Sequence, residues 1–307
     1  MALVSIVIPT HNRREKLVRL VESLLDSDYE AIEIIIVDDL SDYDVFETLR
    51  KFPKVKVIKN EKERLLAASR NIGIKNSRGD FIFLVDDDNV VSRETITILV
   101  GTLLKHPSLG IAAPITYYFK QPTRIWCCGI KIGMVSSFTR IIGRDEMDRG
   151  QYRGHIESDG FPNAFMVRRL VFDKMGLFDE KTFPIHFDEA DFGERVKKHF
   201  QIYCIPEAKI WHDIGLPEVE EKARLLHCHT AMRAYYCSKN RIVFLRKYSK
   251  NWQFLVFLVL FCPALTAYYL RVILFSHPGN FMKKLQISIG YLQGLFDGLA
   301  GFNGVAV

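Results

Sequence analysis

The sequence lacks the two glycine-rich loops that most often hold nucleotide phosphates. Neither G-x-G-x-x-G nor G-x-x-x-x-G-K-[ST] follows the first apolar run, where PTHNR stands instead. Those glycines let backbone N–H groups approach phosphate, so their absence excludes the dinucleotide fingerprint and the P-loop. A bound nucleotide would have to be held by side chains and a metal ion.

The six cysteines form no C-x-x-C pair and no regular framework. This pattern predicts reduced thiols and a cytosolic protein. The stretch His227, Cys228 and His229 does not predict zinc, because histidines at i and i+2 face apart on a helix. The N-terminal run MALVSIVIPT has no basic region before it and is too short for a signal peptide. We therefore expect the catalytic part in the cytosol.

The sequence also lacks a strong excess of charge. A net charge of +6 and a pI near 8.9 are mild for 307 residues, and acidic residues are mixed in throughout. The balance does not predict a nucleic-acid surface, whereas binding to phosphate groups or lipid headgroups fits it. A hydrophobic content of 48% is enough to bury one large core or two modest ones.

The first 85 residues alternate apolar runs with amphipathic segments. After the first run, Asn12 is predicted to be the N-cap of a helix with Glu15 three residues on. A further helix is predicted over 64–75. Continuous apolar runs are typical of strands buried on both faces. The predicted strands cover 4–8, 32–37, 55–58 and 81–85. This order predicts an α/β fold with a mostly parallel sheet and right-handed crossovers.

Three polar clusters follow strands of this predicted sheet. They are the loop PTHNR, the pair Asp38 and Asp39, and the triplet 86–88. Ligands of parallel sheets lie beyond the carboxyl ends of the strands, so we expect these clusters to meet at one edge.

The triplet Asp86, Asp87 and Asp88 ends the apolar stretch FIFLV. Alternation along a strand predicts that Asp86 and Asp88 point to one face and Asp87 to the other. Such a pair suits Mg²⁺ or Mn²⁺ that also holds a diphosphate. An acidic turn that caps the following helix is the alternative.

The segments VSIVIPTHNR, IIIVDDLSD, AASRNIGIKNSRGDFIFLVDDDN, FPNAFMVRRLVFDKMGLFDE and HFDEADFGER occur in that order. Together they resemble the family 2 glycosyltransferases, of the rhamnosyltransferase-like type that assembles lipid-linked glycans, and the likeness covers roughly residues 3–215. The resemblance implies a GT-A fold and a transferase that uses a divalent cation. It places a catalytic domain over 1–225 and a helical, membrane-associated region over 226–307.

The resemblance also assigns residues to the donor. Asp39 would accept a hydrogen bond from the base, which favours a UDP, dTDP or GDP sugar. Asp88 would bind the metal with Asp86, and His212 would lie near the metal or the diphosphate. The alternative for Arg70 is a salt bridge on the helix surface. The alternative for His212 is a buried histidine that packs behind Trp211. The full nucleotide-sugar set is Pro9, Thr10, Asn12, Asp38, Asp39, Arg70, Asn71, Asp86 and Asp87.

On the acceptor side the resemblance implies Pro162, Asn163, Ala164, Asp191 and Trp211. A structural turn is the alternative for Asn163. The family has its general base in an acidic pair that usually reads Glu-Asp, whereas Asp188 and Glu189 here read Asp-Glu. Its position in the pair favours Glu189 as the general base. The alternative is that these acids only cap the helix. A single displacement assisted by this base would invert the anomeric carbon.

The C-terminal third contains 17 residues without a charge, 254–270, interrupted by Pro263. They predict membrane contact, because soluble helices that are apolar on all sides are rare. Basic residues flank both ends, so a re-entrant hairpin or an in-plane pair of helices fits better than one crossing, and two crossings remain open. The flanking residues are Arg241, Arg246, Lys247, Lys250, Lys283 and Lys284.

A second segment over 285–302 carries an apolar helical stripe. Its small residues Gly294, Gly298 and Gly301 would let helices approach closely. We therefore expect an enzyme that lies at the cytoplasmic face of a membrane. It would extend a lipid-linked glycan or polysaccharide. A sugar-1-phosphate nucleotidyltransferase and a silent relative that only binds sugar nucleotides are the alternatives.

Overall fold

The computed structural model describes residues 1–217 and 222–301, which form two compact units. The first unit comprises Met1–Lys131, Ile141–Phe178 and Phe192–Ile214. The second comprises Ile132–Arg140, Asp179–Asp191 and the described residues from Gly215 onward. The functional division at residue 225 stays a prediction.

A ten-stranded sheet forms the framework of the first unit. The strands of the chain are β1 (Val4–Thr10), β2 (Ile32–Asp38), β3 (Val55–Lys59), β4 (Phe81–Val85), β5 (Asn89–Val91), β6 (Leu109–Tyr118), β7 (Gln121–Cys127), β8 (Ile130–Ile132), β9 (Thr139–Ile141), β10 (Ile156–Glu157), β11 (Ala164–Arg168) and β12 (Gln201–His212). The main order is β10-β12-β6-β11-β4-β1-β2-β3, with β5 on β12, β7 on β6, and β8 and β9 as a separate pair.

The predicted α/β fold is confirmed. Strands β1 to β4 run parallel to one another, and β11 joins β4 in the antiparallel direction. The register places Thr10 beside Asp38, and Ala164 beside Val85. The ends of three parallel strands and the start of β11 therefore lie at one edge of the sheet.

Both faces of the central strands are buried, as their continuous apolar runs predict. Ile6 and Ile8 belong to one core cluster, whereas Val7 between them belongs to another. Helices pack on both faces. The helices in this part of the chain are α1 (Arg14–Leu25), α2 (Val45–Leu49), α3 (Leu65–Lys75), α4 (Thr95–Lys105), α5 (Arg169–Met175) and α6 (Asp188–Val196), the last of which begins in the second unit.

The prediction that Asn12 caps α1 is wrong. The helix begins at Arg14, with Arg13 at the N-cap and no side-chain cap. Asn12 has a φ of 57°, and its Oδ1 accepts a hydrogen bond from the N–H of Asp42 at 2.7 Å. The left-handed conformation turns its amide toward the loop after β2, which is why it does not reach the helix.

The second unit is mainly helical. Its helices are α7 (Lys222–Leu225), α8 (Ala231–Tyr248), α9 (Asn251–Val256), a π-helical turn (Phe257–Phe261), α10 (Cys262–Ser276) and α11 (Phe281–Ala300). Residues Asn251–Ser276 form one helical run that contains an 18-residue window of mean hydropathy 1.9, and it is the only one in the described ranges that is long and apolar enough to cross a membrane. The π turn lies directly before Pro263, where the proline removes a backbone donor.

Glycines bring α11 against α8. A Cβ on Gly294 would collide with the carbonyl oxygen of Tyr235, and one on Gly290 would lie 2.6 Å from the carbonyl oxygen of Ala231. Gly298 makes a similar approach, which confirms the prediction for Gly294 and Gly298. Gly301 instead ends α11 with a φ of 80°, and Phe302 lies outside the described residues.

Replacing Gly294 with alanine is expected to destabilise the α8–α11 pair. The added methyl meets backbone that cannot move freely, which costs about 1–3 kcal/mol and exceeds the roughly 1 kcal/mol gained in helix propensity. Hydrogen exchange of α8 amides, resolved by peptide, should become faster. Gly101→Ala is the matched control, because nothing lies within 4 Å of a Cβ at that helical glycine. Unchanged α8 exchange in Gly294→Ala would contradict the close packing.

Candidate active site

The three aspartates after β4 do not continue the strand. The strand ends at Val85, and Asp86, Asp87 and Asp88 form the turn that leads into β5. The predicted alternation of their side chains is therefore wrong. Asp87 and Asp88 share one cationic partner, while Asp86 has a different one.

Arg13 is the shared partner. Its Nη1 donates to Asp87 Oδ1 at 2.9 Å and to Asp88 Oδ2 at 2.6 Å. Burial raises the pKa of Asp87 to about 6, and the charge of Asp88 adds to this rise while Arg13 opposes it. Burial alone would also raise the pKa of Asp88, but His212 and Arg13 lower that pKa well below its ordinary range. The turn thus holds one carboxylate that stays ionised and one that protonates readily.

Asp88 has an oxygen available for a further ligand. Its Oδ1 is buried and accepts no hydrogen bond of good geometry within the described ranges, although His212 Nε2 lies 3.1 Å away. The rings of Trp126 and His212 lie nearly perpendicular to each other, with their centroids 4.7 Å apart. Across residues 1–217 and 222–301, no three His, Cys, Asp or Glu side chains are grouped to hold an ion by themselves. Mg²⁺ is commonly held by one or two protein ligands plus substrate phosphates, and Asp88 with His212 fits that pattern.

Arg70 lies inside the unit rather than on a helix surface. Its side chain is 0% exposed and its Nη2 donates to Asp86 Oδ1 at 2.9 Å. The guanidinium also lies near the rings of Phe165 and Phe178. A surface salt bridge is therefore excluded, and Arg70 fixes the position of Asp86.

Asp39 is held by the loop and helix that follow β3. Its Oδ1 accepts from Asn60 Nδ2 at 2.7 Å and from the N–H of Arg64 at 2.8 Å, and its Oδ2 accepts from the N–H of Leu65 at 2.9 Å. Asp38 accepts from the N–H of Ser41. A carboxylate offers about four acceptor positions, so Asp39 retains one for a base.

The first polar loop faces the same edge. Thr10 Oγ1 donates to Asp87 Oδ2 at 2.8 Å, directly after the buried Pro9. Asn71, by contrast, is engaged by the chain itself, since its amide exchanges two hydrogen bonds with the backbone of Phe178. The structure thus places Thr10 at the acidic turn and Asn71 on a structural contact.

The segment before β11 touches the acidic turn. The amides of Asn163 and Asn89 bond to each other at 2.7 and 2.8 Å, and the carbonyl oxygen of Asn163 accepts from the N–H of Asp86 at 3.2 Å. Pro162 precedes this pair, and Ala164 begins β11. Trp211 is half-buried in β12 and its Nε1 donates to the carbonyl of Pro122.

The predicted base pair lies in the second unit. Asp188 is buried at the start of α6 and Glu189 is half-buried beside it. Asp191 is buried and accepts hydrogen bonds from Lys247 Nζ and Tyr248 Oη, each at 2.7 Å. Solvent can therefore reach Glu189 more readily than Asp188, and Asp191 serves the packing of its own unit.

The chain enters α6 in an unusual conformation. His186 and Phe187 have φ angles of 62° and 64°, a region that non-glycine residues seldom occupy. Asn240 Nδ2 of α8 donates to the carbonyls of Ile185 and His186 at 2.9 and 3.0 Å. The ring of Phe187 also contacts Phe244. Helix α8 therefore holds the backbone that precedes the acid pair.

Sequence reasoning missed Arg13, Asn60, Asn89 and Asn240. Arg13 could have been found, because it lies in PTHNR at the end of the first strand. That end was expected to lie near the end of the strand that precedes the acidic triplet. The three asparagines carry no local signal, since their partners are far along the chain.

The raised pKa of Asp87 predicts a pH-dependent stability in protein treated with EDTA. The pKa of Asp87 in the folded state, about 6, lies above the ordinary 3.8. The contribution of Asp87 to the free energy of unfolding is therefore fully present below pH 3.8 and is lost as the pH rises through 6. Relative to Asp87→Asn, the free energy of unfolding of the wild type should fall by about 3 kcal/mol across this window. Urea titrations at several pH values measure it. A difference that does not vary with pH would contradict the assignment.

Known proteins share this chain's pattern. Residues 5–176 match the family model described as Glycosyl transferase family 2. An uncharacterized glycosyltransferase of Haemophilus influenzae is 35% identical over 109 residues, which are 35% of this chain and 37% of that protein. The Escherichia coli protein WfaP, named UDP-Glc:alpha-D-GlcNAc-diphosphoundecaprenol beta-1,3-glucosyltransferase, is 36% identical over 91 residues, 29% of this chain and 36% of that protein. The matches thus span about a third of these relatives' length.

A solved structure shows the same fold. The mannosyltransferase PcManGT of Pyrobaculum calidifontis, in complex with GDP-Man and Mn²⁺, superposes with a TM-score of 0.58 at 13% identity. The superposition covers 98% of this chain and 87% of that one.

Proposed function

Because the chain belongs to glycosyl transferase family 2 and is a transferase with the GT-A fold, we propose that it moves a sugar from a nucleotide sugar to a lipid-linked glycan with inversion. The observation that carries the proposal is the acidic turn 86–88, in which Asp88 keeps a buried oxygen beside His212. Such a turn at the carboxyl end of a central strand is where ligands of α/β sheets bind.

Asp88 and His212 would hold a divalent cation, with Asp86 directed toward the ion or the ribose. The ion would neutralise charge that develops on the departing nucleoside diphosphate. Arg70 supports this role because it fixes Asp86, and Arg13 holds the turn through Asp87 and Asp88. The Mn²⁺ in the complex of the Pyrobaculum mannosyltransferase favours the same use of a cation here.

Asp39 would accept a hydrogen bond from the base with its remaining acceptor position. Uracil, thymine and guanine each offer an N–H for this contact, so UDP, dTDP and GDP sugars fit. The Escherichia coli relative is named for UDP-Glc, and the Pyrobaculum mannosyltransferase was solved with GDP-Man. Pro9, Thr10, Asn12 and Asp38 would complete the pocket for the nucleotide.

Glu189 would remove the proton from the acceptor hydroxyl. It lies in the first turn of α6, where the helix N-terminus attracts negative charge. The hydroxyl oxygen would then bond to the anomeric carbon as the bond to the diphosphate breaks on the opposite face. One displacement of this kind inverts the anomeric configuration.

The acceptor class follows from the apolar surface of the second unit. Only 33% of the most apolar 18-residue window of the helical run Asn251–Ser276 is buried, and α11 carries a further exposed stripe that includes Ile289 and Phe296. Exposed apolar surface of this extent marks a membrane or protein contact. An enzyme at the headgroup level meets an acceptor that cannot leave the bilayer, and the Escherichia coli relative is named for a diphosphoundecaprenol acceptor.

Release of nucleoside diphosphate from a panel of UDP, dTDP and GDP sugars, with and without Mn²⁺, tests the transfer. The anomeric configuration of the product, read by NMR, tests inversion. No release from any of these donors in the presence of membrane lipids would overturn the proposal.

Membrane contact predicts that one charge on the apolar run weakens binding to vesicles. Leu260 is 62% exposed, and an aspartate there would cost about 2–3 kcal/mol on entering the hydrocarbon region. Flotation with anionic vesicles measures the bound fraction, which should fall sharply in Leu260→Asp. Phe46→Asp is the matched control, since Phe46 is also 62% exposed but lies in the first unit. Equal flotation of the two variants would contradict the assignment.

A further inference from the structure

The second unit concentrates basic side chains that the proposed chemistry does not use. They lie on the segment before α6, on the stretch before α8, on α8 itself and after α10. We call them the basic cluster, which comprises His186, His227, His229, Arg233, Arg241 and His277.

Direct contacts link these segments. The rings of His186 and His227 lie 4.8 Å apart between centroids. His277 Nε2 lies 3.2 Å from the carbonyl oxygen of His229, and Arg241 Nη2 donates to Tyr269 Oη of α10 at 2.7 Å. These contacts join the histidines in two pairs and connect α8 to α10, and the charges of His227, Arg233, His229 and Arg241 all act on His186.

Several nitrogens of this assembly are buried without a hydrogen-bond partner in the part of the chain that the structure describes. They are His186 Nε2, His229 Nδ1, and the Nε and Nη1 of Arg241. Burying such groups unsatisfied is costly, and the cost is largest for the charged guanidinium. An anion that accepted from the guanidinium of Arg241, and from the two imidazole nitrogens in the tautomers that protonate them, would offset the cost.

The charges around the basic cluster also favour a bound anion. Burial, followed by the charges of His227 and Arg233, holds the pKa of His186 well below its ordinary value. Burial and the charges of Arg233 and Arg224 lower the pKa of His229 to about 4. The α8 N-terminus at Ala231 adds a partial positive charge. The potential in this assembly is thus positive.

The cluster reaches the protein surface and lies beside the apolar run. His227 is exposed, so solvent reaches one side of the cluster. Tyr269 belongs to α10, and His277 is the residue that follows that helix. An anionic group attached to a lipid could therefore reach the cluster while its chain follows the apolar helices.

We propose that the basic cluster binds a diphosphate group, and that the group is the headgroup of the lipid-linked acceptor. This inference rests on the proposed function for its acceptor. The cluster would hold the acceptor at its charged end and leave the glycan free for the transfer. Histidine and arginine N–H groups are suited to this role, because they donate several hydrogen bonds to phosphate oxygens.

Calorimetric titration of the full chain in detergent with inorganic diphosphate, with EDTA and without donor, tests the anion site. Affinity should fall by about tenfold or more in His229→Gln and in Arg241→Gln. His199→Gln and Arg271→Gln are the matched controls, since both residues are exposed outside the cluster, and they should stay within about twofold of the wild type. His229 is half-buried before α8, so its variant tests the site even if Arg241→Gln fails to fold.

A second arm identifies the source of the diphosphate. Vesicles with a polyprenyl diphosphate should bind the wild type more tightly than phosphatidylglycerol vesicles of equal surface charge, and His229→Gln should remove the difference. Equal binding to both vesicles would overturn the lipid assignment, and equal loss in the control variants would overturn the site. Neither arm involves turnover, so a failure of sugar transfer would be seen separately in the release of nucleoside diphosphate.

Discussion

Replacing Asp88 with asparagine is expected to lower the rate of sugar transfer by about a hundredfold to a thousandfold. The amide keeps the size of the side chain but removes the charge from the oxygen that lies beside His212. Neutralisation of the departing diphosphate is thereby lost, and the concentration of Mn²⁺ needed for half-maximal activity should rise. Initial rates across a Mn²⁺ titration measure both effects.

Asp173→Asn is the matched control for this change, because Asp173 is an exposed carboxylate on α5. Melting curves are needed beside the rates, since Asp88 also pairs with Arg13. A folded Asp88→Asn protein with unchanged Mn²⁺ dependence would show that this carboxylate holds no catalytic cation.

Glu189→Gln is expected to reduce kcat by about 10²–10⁴ while the donor still binds. The glutamine cannot take the proton of the acceptor hydroxyl, whereas the donor contacts proposed for Asp39 and Asp88 remain. Single-turnover rates with acceptor, and calorimetric binding of the nucleoside diphosphate, separate the two steps.

The parallel change Asp188→Asn decides between the two acids. If Asp188→Asn loses turnover and Glu189→Gln keeps it, the assignment is reversed. Glu207→Gln, at an exposed position on β12, controls for the loss of a negative charge. Full activity in both acid variants would remove the general base from this pair.

The fold was largely predictable because its signals are local. Continuous apolar runs marked β1, β2 and β4, in which residues on both faces are buried, whereas β3 at the edge of the sheet is partly exposed. The antiparallel β11 between β4 and β6 was not predicted, since its pairing depends on residues about 80 and 50 positions away. The glycines of α11 were visible as small residues, but only the structure shows that Gly290 also faces α8.

The candidate site was predictable in composition but not in orientation. Asp86 to Asp88 were found because three carboxylates after an apolar strand are unusual. Their directions were wrong, because the strand period does not apply to a turn. Asn12 was misassigned for a related reason, since a φ of 57° cannot be seen in a sequence.

The partners of buried charges were the least predictable part. Lys247 looked like a flank of the membrane segment, yet it bonds to Asp191 at 2.7 Å. For Arg70 a helix-surface salt bridge was the alternative to a place near the sugar nucleotide, yet its side chain is buried against Asp86. The paired residues are 56 positions apart for Lys247 and 16 for Arg70, and no local pattern records either pairing.

The composition of the second unit limits how the proposed membrane-binding surface could be removed. Residues Asp179–Asp191 belong to the same compact unit as the C-terminal helices, and Asn240 holds the carbonyls of Ile185 and His186. Truncation after Ile214 would remove the apolar C-terminal helices. It would also remove Asn240, which holds the backbone before Asp188 and Glu189. Purification in nanodiscs, or polar redesign of outward-facing positions such as Leu260, would spare that scaffold.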